Sequence, residues 1–173
     1  MKKEFTLTIF SENKTGVLSR VVGIITRRHI NIESISATKS AIPDIHKVIV
    51  VINVTEEMVR KVVAVIDKQI DIMKAFYYDK SDLVCQEIAL YKVPTEAFYE
   101  GDTVENLVRR YDAKILRIEK EYIVIQKTGY TEETEALLNE LQDIGIYEFV
   151  RSGIVAIVKP MERLNTYLRE VSN

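Results

Sequence analysis

The stretch SENKTGVLSRVVGIITRRHINIES, residues 11–34, contains two polar loops on either side of one helical pattern. Its apolar residues recur at helical spacing, and they are Val17, Leu18, Val21, Val22, Ile24 and Ile25. This spacing predicts an amphipathic helix that begins after the first loop. Arg27 and Arg28 follow the apolar stripe, and cations stabilise the carbonyl end of a helix. An extended segment begins after the second loop, so the stretch predicts a helix that is followed by a strand.

The segments around this helix have the composition of strands. Four segments are rich in β-branched and aromatic residues: EFTLTIF (4–10), NIESISATK (31–39), HKVIVVINV (46–54) and IDIMKAFYY (70–78). The third is apolar on both faces, as in the central strand of a covered sheet. Thr55 can cap a second helix after it, with Glu56 and Glu57 at the positive end. The order strand, helix, strand, strand, helix, strand is that of a ferredoxin-like unit, with an antiparallel sheet and helices on one face.

The same order of elements returns after the short polar linker DKSD (79–82). Strand patterns occupy 84–93, 113–120 and 122–129, helical patterns lie within 100–112 and 131–143, and IYEFVRSGIVAIVK (146–159) ends the sheet. A Thr-Glu-Glu helix start occurs in both halves, at Thr55 and Thr131. We therefore predict an α+β protein of two ferredoxin-like βαββαβ domains, at 1–79 and 84–173. Residues 160–173 are predicted to form a short amphipathic tail helix.

Composition argues against several classes of protein. The chain has 173 residues, of which 47% are hydrophobic and 29% charged, as in ordinary soluble globular proteins. A net charge of -2 gives no support for a nucleic-acid partner, which favours a basic face. No apolar run approaches the ~20 residues that a membrane span needs. A single cysteine, Cys85, cannot form an internal disulfide, so we expect a cytoplasmic protein.

The chain offers no convincing catalytic or metal-binding constellation. Cys85 lies among apolar residues, with no neighbouring histidine or cation to lower its pKa, so we expect an inert thiol. His29 and His46 are far apart and follow no metal-ligand spacing. Glu119 and Glu121 flank a predicted turn, where carboxylates are usually solvated. We therefore predict no catalytic residue and no metal site.

Three residues of the opening stretch are candidates for a binding site: Asn13, Gly16 and Asn31. A helix N-terminus has unpaired N–H groups and a partial positive charge, so it can receive a carboxylate. Gly16 permits close approach to the backbone, and both asparagines carry amides that donate and accept hydrogen bonds. The alternative is that all three are simply turn residues. In one ferredoxin-like unit the two asparagines lie at opposite ends of the first helix, so a shared ligand requires a second subunit or a bent loop.

The stretch closely resembles the opening of the acetolactate synthase small subunit family, whose approximate pattern is E-N-x-x-G-x-L-S-R-V-x-G-x-F-x-R-R-x-x-N-I-E-S. The matching residues are Glu12, Asn13, Gly16, Leu18, Ser19, Arg20, Val21, Gly23, Arg27, Arg28, Asn31, Ile32, Glu33 and Ser34. The similarity continues through KQIDIMKAF (68–76), QEIALYKV (86–93) and EFVRSGIVAIVK (148–159).

This resemblance implies that the first domain is an ACT domain and that the chain is a non-catalytic regulatory subunit. It implies a large catalytic subunit as partner, which would use thiamine diphosphate, Mg²⁺ and FAD, whereas this chain would bind no cofactor. It also implies a homodimer of ACT domains that binds a branched-chain amino acid, usually valine, between them. The effector-binding residues carried over are Asn13, Lys14, Thr15, Gly16, Val17 and Asn31, and Ile35 is expected in the apolar wall.

The chain departs from the family pattern after Ser34, where the common L-x-V-x-x-T-x-D-P is replaced by ISATKSAIPDIHK. Residues 94–105 contain no counterpart of the Asn-x-x-Gly loop, so we expect no effector site in the second domain. Two alternative functions remain open. The chain could be an ACT-domain sensor for another enzyme, or a ferredoxin-like RNA-binding module that uses Phe76, Tyr77 and Tyr78. The characteristic RNA-binding signature is absent from the sequence.

Overall fold

The strands of the chain form two separate antiparallel sheets in the computed structural model, which describes residues 1–99 and 103–159. One compact unit contains residues 1–84 together with the described residues from Val155 onward, and the other contains residues 85–154. The predicted domain boundaries, 1–79 and 84–173, stay a prediction. The predicted tail helix at 160–173 lies outside the described residues.

The first unit has the predicted order of elements. They are β1 (Lys3–Glu12), α1 (Val17–Thr26), β2 (Ile32–Lys39), β3 (Ile45–Val54), α2 (Glu56–Ile66) and β4 (Ile72–Asp79). The strand order in the sheet is β2-β3-β1-β4, and neighbouring strands are antiparallel. This confirms the ferredoxin-like arrangement. Thr55 caps α2 as predicted, because its side chain accepts a hydrogen bond from Met58 N.

The core of the first unit lies between the sheet and its two helices. Leu7 and Val50 are directly paired and fully buried there, together with Val21 of α1 and Val62 of α2. The opposite face of the sheet is also buried at β3, which confirms the pattern expected for its sequence. On that face Lys47 Nζ donates a hydrogen bond of 2.8 Å to the Ala156 carbonyl, and burial lowers the pKa of this lysine.

The second unit repeats the topology of the first. Its elements and the strand that follows are β5 (Leu83–Pro94), α3 (Glu96–Tyr99), α4 (Thr103–Arg110), β6 (Lys114–Ile118), β7 (Tyr122–Gly129), α5 (Thr131–Gln142), β8 (Glu148–Arg151) and β9 (Val155–Val158). The order β6-β7-β5-β8 matches β2-β3-β1-β4, and β9 pairs with β5. Two details differ from the prediction. The short helix α3 was not expected, and the segment 146–159 forms two strands rather than one.

The break between these last two strands has a local cause. Ser152 N donates to the Ile88 carbonyl, and Ser152 Oγ accepts from Ile88 N, so the pairing of β8 with β5 ends in a side-chain hydrogen bond. The linker DKSD contains a single 3-10 turn at Lys80–Asp82.

A buried carboxylate that sequence analysis did not predict lies in the second unit. Glu87 is 3% exposed and accepts hydrogen bonds from the hydroxyls of Thr131 and Thr134. Arg151 lies 3.6 Å from the same carboxylate, and its guanidinium also pairs with Glu135. The charge of Glu87 is therefore compensated within the unit.

Candidate functional site

The loop between β1 and α1 contains most of the residues predicted to form the site. Gly16 occupies the N-cap position of α1 with φ 87° and ψ -10°, a left-handed conformation that favours glycine. A Cβ atom built there would meet nothing within 4 Å, so the space beside Gly16 is open. The turn therefore favours glycine, and the open space beside it leaves the backbone of the loop accessible.

The backbone N–H groups of this loop are only partly used. Asn13 N donates to the Asp44 carbonyl at 3.0 Å, and Lys14 N donates to the Glu12 carbonyl at 2.9 Å. Among the described residues, the N–H groups of Thr15 and Gly16 have no hydrogen-bond acceptor, and α1 has no side-chain cap. The exposed positive end of α1 is therefore able to receive a small anion.

The charges beside the loop are largely compensated. Lys14 Nζ lies 2.5 Å from a carboxylate oxygen of Glu12 and 3.4 Å from one of Asp71. The hydrogen bond with Glu12 is the main cause that raises the pKa of Lys14. Arg20 donates a hydrogen bond to the other oxygen of Asp71, which is 8% exposed. Sequence analysis missed this network, although Glu12 and Arg20 both fit the family pattern.

A depression of about 280 Å³ lies where the β2–β3 connection meets the same loop. We call it the hairpin depression, and its lining residues are Asn13, Lys39, Ser40, Ile42, Pro43, Asp44, Ile45 and His46. Asn13 is the one predicted site residue among them. Sequence analysis did not predict this depression. The one feature of the sequence that pointed to this segment was its departure from the family pattern after Ser34.

The remaining predicted residues lie elsewhere on the first unit. The Val17 side chain is 5% exposed and packs in the core, so only its backbone faces the loop. Asn31 is exposed and immediately precedes β2. β2 runs parallel to β1, with β3 between them, so the loop lies at the Lys39 end of β2. Asn31 is eight residues from Lys39, or about 27 Å at about 3.4 Å per residue. Ile35 is 37% exposed on β2 and shares the helix-covered face with its partner Val50.

Comparison with known proteins identifies the family. A family model described as an AHAS small subunit-like ACT domain matches residues 7–74, and one described as small subunit of acetolactate synthase matches residues 86–160. The acetolactate synthase small subunit of Mycolicibacterium smegmatis is 32% identical over 88% of this chain and 89% of its own length. The chain belongs to the acetolactate synthase small subunit family. The Bacillus subtilis small subunit is similarly related, with 31% identity over 92% of this chain and 91% of its own.

The solved structure of the acetolactate synthase small subunit from Thermotoga maritima has the same fold. It superposes with a TM-score of 0.83 and 25% identity, over 92% of this chain and 99% of that one. Both the family resemblance and the predicted fold class, an ACT domain followed by a second ferredoxin-like domain, are thus confirmed. Within residues 1–99 and 103–159, no helix has the length and apolar character to cross a membrane.

Proposed function

We propose that this chain is the non-catalytic, regulatory subunit of an acetolactate synthase. In this proposal it binds a large catalytic subunit, raises its activity and makes it sensitive to a branched-chain amino acid, with valine as the leading candidate. Thiamine diphosphate, Mg²⁺ and FAD would belong to the large subunit. The complex would act in the cytoplasm, in the synthesis of valine, leucine and isoleucine.

The observation that carries this proposal is the open N-terminus of α1. An amino-acid carboxylate is a small anion. The N–H groups of Thr15 and Gly16, which have no acceptor in residues 1–99 and 103–159, are donors of the kind that it requires. Lys14 is less suited to this role, because Glu12 and Asp71 already compensate its charge. The backbone of the loop, rather than its lysine, would therefore hold the carboxylate.

Asn31 lies at the end of the sheet opposite the loop of residues 13–16, and this location supports a site that is shared between two copies of the chain. Among the described strands β2 has a neighbour on one side only, and a second sheet can pair with such an edge. If two copies pair antiparallel along β2, the amino end of one β2 lies beside the carboxyl end of the other. Asn31 of the partner copy would then approach the loop of residues 13–16. Pairing along β4, the other edge, would not bring these elements together.

This arrangement gives a homodimer with one eight-stranded sheet and two symmetric effector sites. The carboxylate would bind at Thr15 and Gly16, and an amide oxygen of Asn13 or of Asn31 from the second copy would accept from the ammonium group. Ile35 lies on the helix-covered face of β2 and is 37% exposed, so it is available as an apolar contact.

The decisive experiment is reconstitution with an acetolactate synthase large subunit from the same organism. Acetolactate formation from pyruvate is measured with the large subunit alone, with this chain alone and with both together. Valine, leucine and isoleucine are then added separately to the complex. We expect no activity from this chain alone, a higher rate in the complex, and inhibition by at least one of the amino acids. Activity of the chain alone, or a complex with unchanged rate and no inhibition, would contradict the proposal.

A further inference from the structure

We propose that the hairpin depression is part of the effector site, and that it binds the zwitterionic head and the branched side chain of the amino acid. This inference rests on the proposed function and extends it to residues of the β2–β3 connection. Asp44 accepts from the ammonium group, Lys39 shares the carboxylate with the loop of residues 13–16, and Ile42 contacts the apolar side chain.

The charges of the depression are the first argument. Lys39 and Asp44 carry opposite charges, are both exposed and line the same depression. Neither has an ion-pair partner within the described part of the chain. An α-amino acid carries one charge of each sign and would compensate both. A ligand with a single charge would leave one of them without a partner.

The location of the depression is the second argument. Asn13 belongs both to its lining and to the loop at the start of α1, and Asn13 N is bonded to the Asp44 carbonyl. Lys39 is the last residue of β2, at the end of the sheet that Asn31 of a second copy reaches in antiparallel pairing. A ligand held by the loop would therefore lie beside these charges.

The size and the remaining lining residues agree with such a ligand. A volume of about 280 Å³ accommodates one small amino acid, and Ile42, Pro43 and Ile45 give the depression an apolar part. His46 also lines it, and its Nε2 is buried without a hydrogen-bond partner among residues 1–99 and 103–159. Buried polar atoms without partners are uncommon in folded proteins, and a partner from outside the chain is one explanation for such an atom.

The test uses two charge-removing variants with matched controls. Asp44 has a positive φ of 61°, a conformation that asparagine also tolerates, so Asp44→Asn removes the charge and keeps the turn. Asp112→Asn is its control, because Asp112 has a φ of 48° and lies in the second unit. Lys39→Gln is paired with Lys114→Gln, which changes an exposed lysine at the end of a strand of the second unit.

Valine, leucine and isoleucine binding to each purified full-length chain is measured by calorimetry, and inhibition is measured in the reconstituted complex. We expect Asp44→Asn and Lys39→Gln each to weaken binding by roughly tenfold or more, since each loses a charge-assisted contact. The two controls should bind like the wild type. The preference for valine over 3-methylbutanoate, which has the same carbon skeleton without the ammonium group, should also be smaller in Asp44→Asn than in the wild type.

The outcomes separate this inference from the proposed function. If the wild type binds and is inhibited but both variants behave like their controls, the hairpin depression is not part of the site and the regulatory function stands. If neither the wild type nor the controls bind or respond to any of the three amino acids, the effector function itself is overturned, and the inference with it. If effector binding is weakened in the two variants and not in their controls, the result supports both the inference and the proposed function.

Discussion

The connection after the first strand differs between the two units, although their strands follow the same order. In the second unit, Thr95 donates to the carbonyls of Glu119 and Glu121, which ties this connection to the neighbouring hairpin, and α3 follows directly. In the first unit, the described residues show one such bond between the corresponding elements, from Asn13 N to the Asp44 carbonyl. With the same topology, hydrogen bonds close this end of the sheet in the second unit and leave it more open in the first.

The outer strands differ in a similar way. β2 has eight residues, and its central part, from Ser34 to Thr38, carries no charge. The corresponding strand β6 has only five residues, and these include the charged Lys114 and Arg117. Each of the two strands has one register shift against its neighbour, so regularity does not distinguish them. Short and charged strands discourage pairing between sheets. This contrast indicates that β2 is available for association and that β6 is protected from it.

The largest effect is expected for Gly16→Asp at the open end of the first unit. The new carboxylate would lie beside the N–H groups that the effector requires and would repel its carboxylate. We expect the half-inhibitory concentration to rise more than about a hundredfold, which corresponds to a loss of about 2.7 kcal/mol or more in the free energy of effector binding. Inhibition and activation are measured together in the reconstituted complex, and retained activation shows that the variant still assembles.

Gly145→Asp is the matched control for the backbone strain of this change. Gly145 has a φ of 102° and lies in the second unit, so the substitution imposes a comparable strain outside the effector site. An aspartate in this conformation costs about 1–2 kcal/mol of stability. If Gly145→Asp removed inhibition as completely as Gly16→Asp, the effect would arise from general destabilisation and not from the site.

The second prediction tests the two outer strands. Ile35→Lys would remove an apolar contact and introduce a like charge in both copies of a β2-paired dimer. We expect the dissociation constant of the dimer to rise by about a hundredfold. Leu116→Lys changes an exposed apolar residue of β6 and should leave it unchanged. Sedimentation velocity over a range of concentrations measures the dissociation constant of each variant. Equal dissociation constants for the two variants would argue against pairing along β2.

Much of the fold was predictable because its signals are local. The helical spacing from Val17 to Ile25 and the alternation of the strands each depend on neighbouring residues, and the order of elements then specifies the sheet. The left-handed Gly16 was also predictable as a turn residue. In contrast, the compensation of Lys14 by Asp71 and the proximity of Asn13 to Asp44 depend on contacts between distant segments. Periodicity carries no information on such contacts, so the hairpin depression was missed.

The third prediction concerns polar groups that stabilise the fold. Glu87→Leu would leave the Thr131 hydroxyl and part of the Arg151 guanidinium without their acceptor. We expect a loss of about 2 kcal/mol in the free energy of unfolding, as for hydrogen bonds to a charged group. Urea denaturation followed by circular dichroism measures the change.

Glu135→Leu is the control, because Glu135 pairs with the same arginine at the surface, where an ion pair contributes less than about 1 kcal/mol. Neither variant should change effector affinity in the folded protein. If Glu135→Leu destabilised the protein as much as Glu87→Leu, burial of the carboxylate would not be the important factor.

The smallest effect is expected for Asn31→Ala, which tests whether the site is shared between two copies. In the proposed dimer, this amide is one of two that accept from the ammonium group, so Asn13 and Asp44 would retain part of the interaction. We expect effector binding to weaken by about tenfold, or about 1.4 kcal/mol, without loss of inhibition. Asn53→Ala removes an exposed amide from β3 and should have no effect on effector binding.

A mixed dimer distinguishes a site shared between two copies from a site within one chain. Combining an Asn31→Ala chain with a Gly16→Asp chain places both changes in one shared site and leaves the other intact, so calorimetry should detect one site of wild-type affinity per dimer. If Asn31 acted within its own chain, each site would carry one change and no wild-type site would remain.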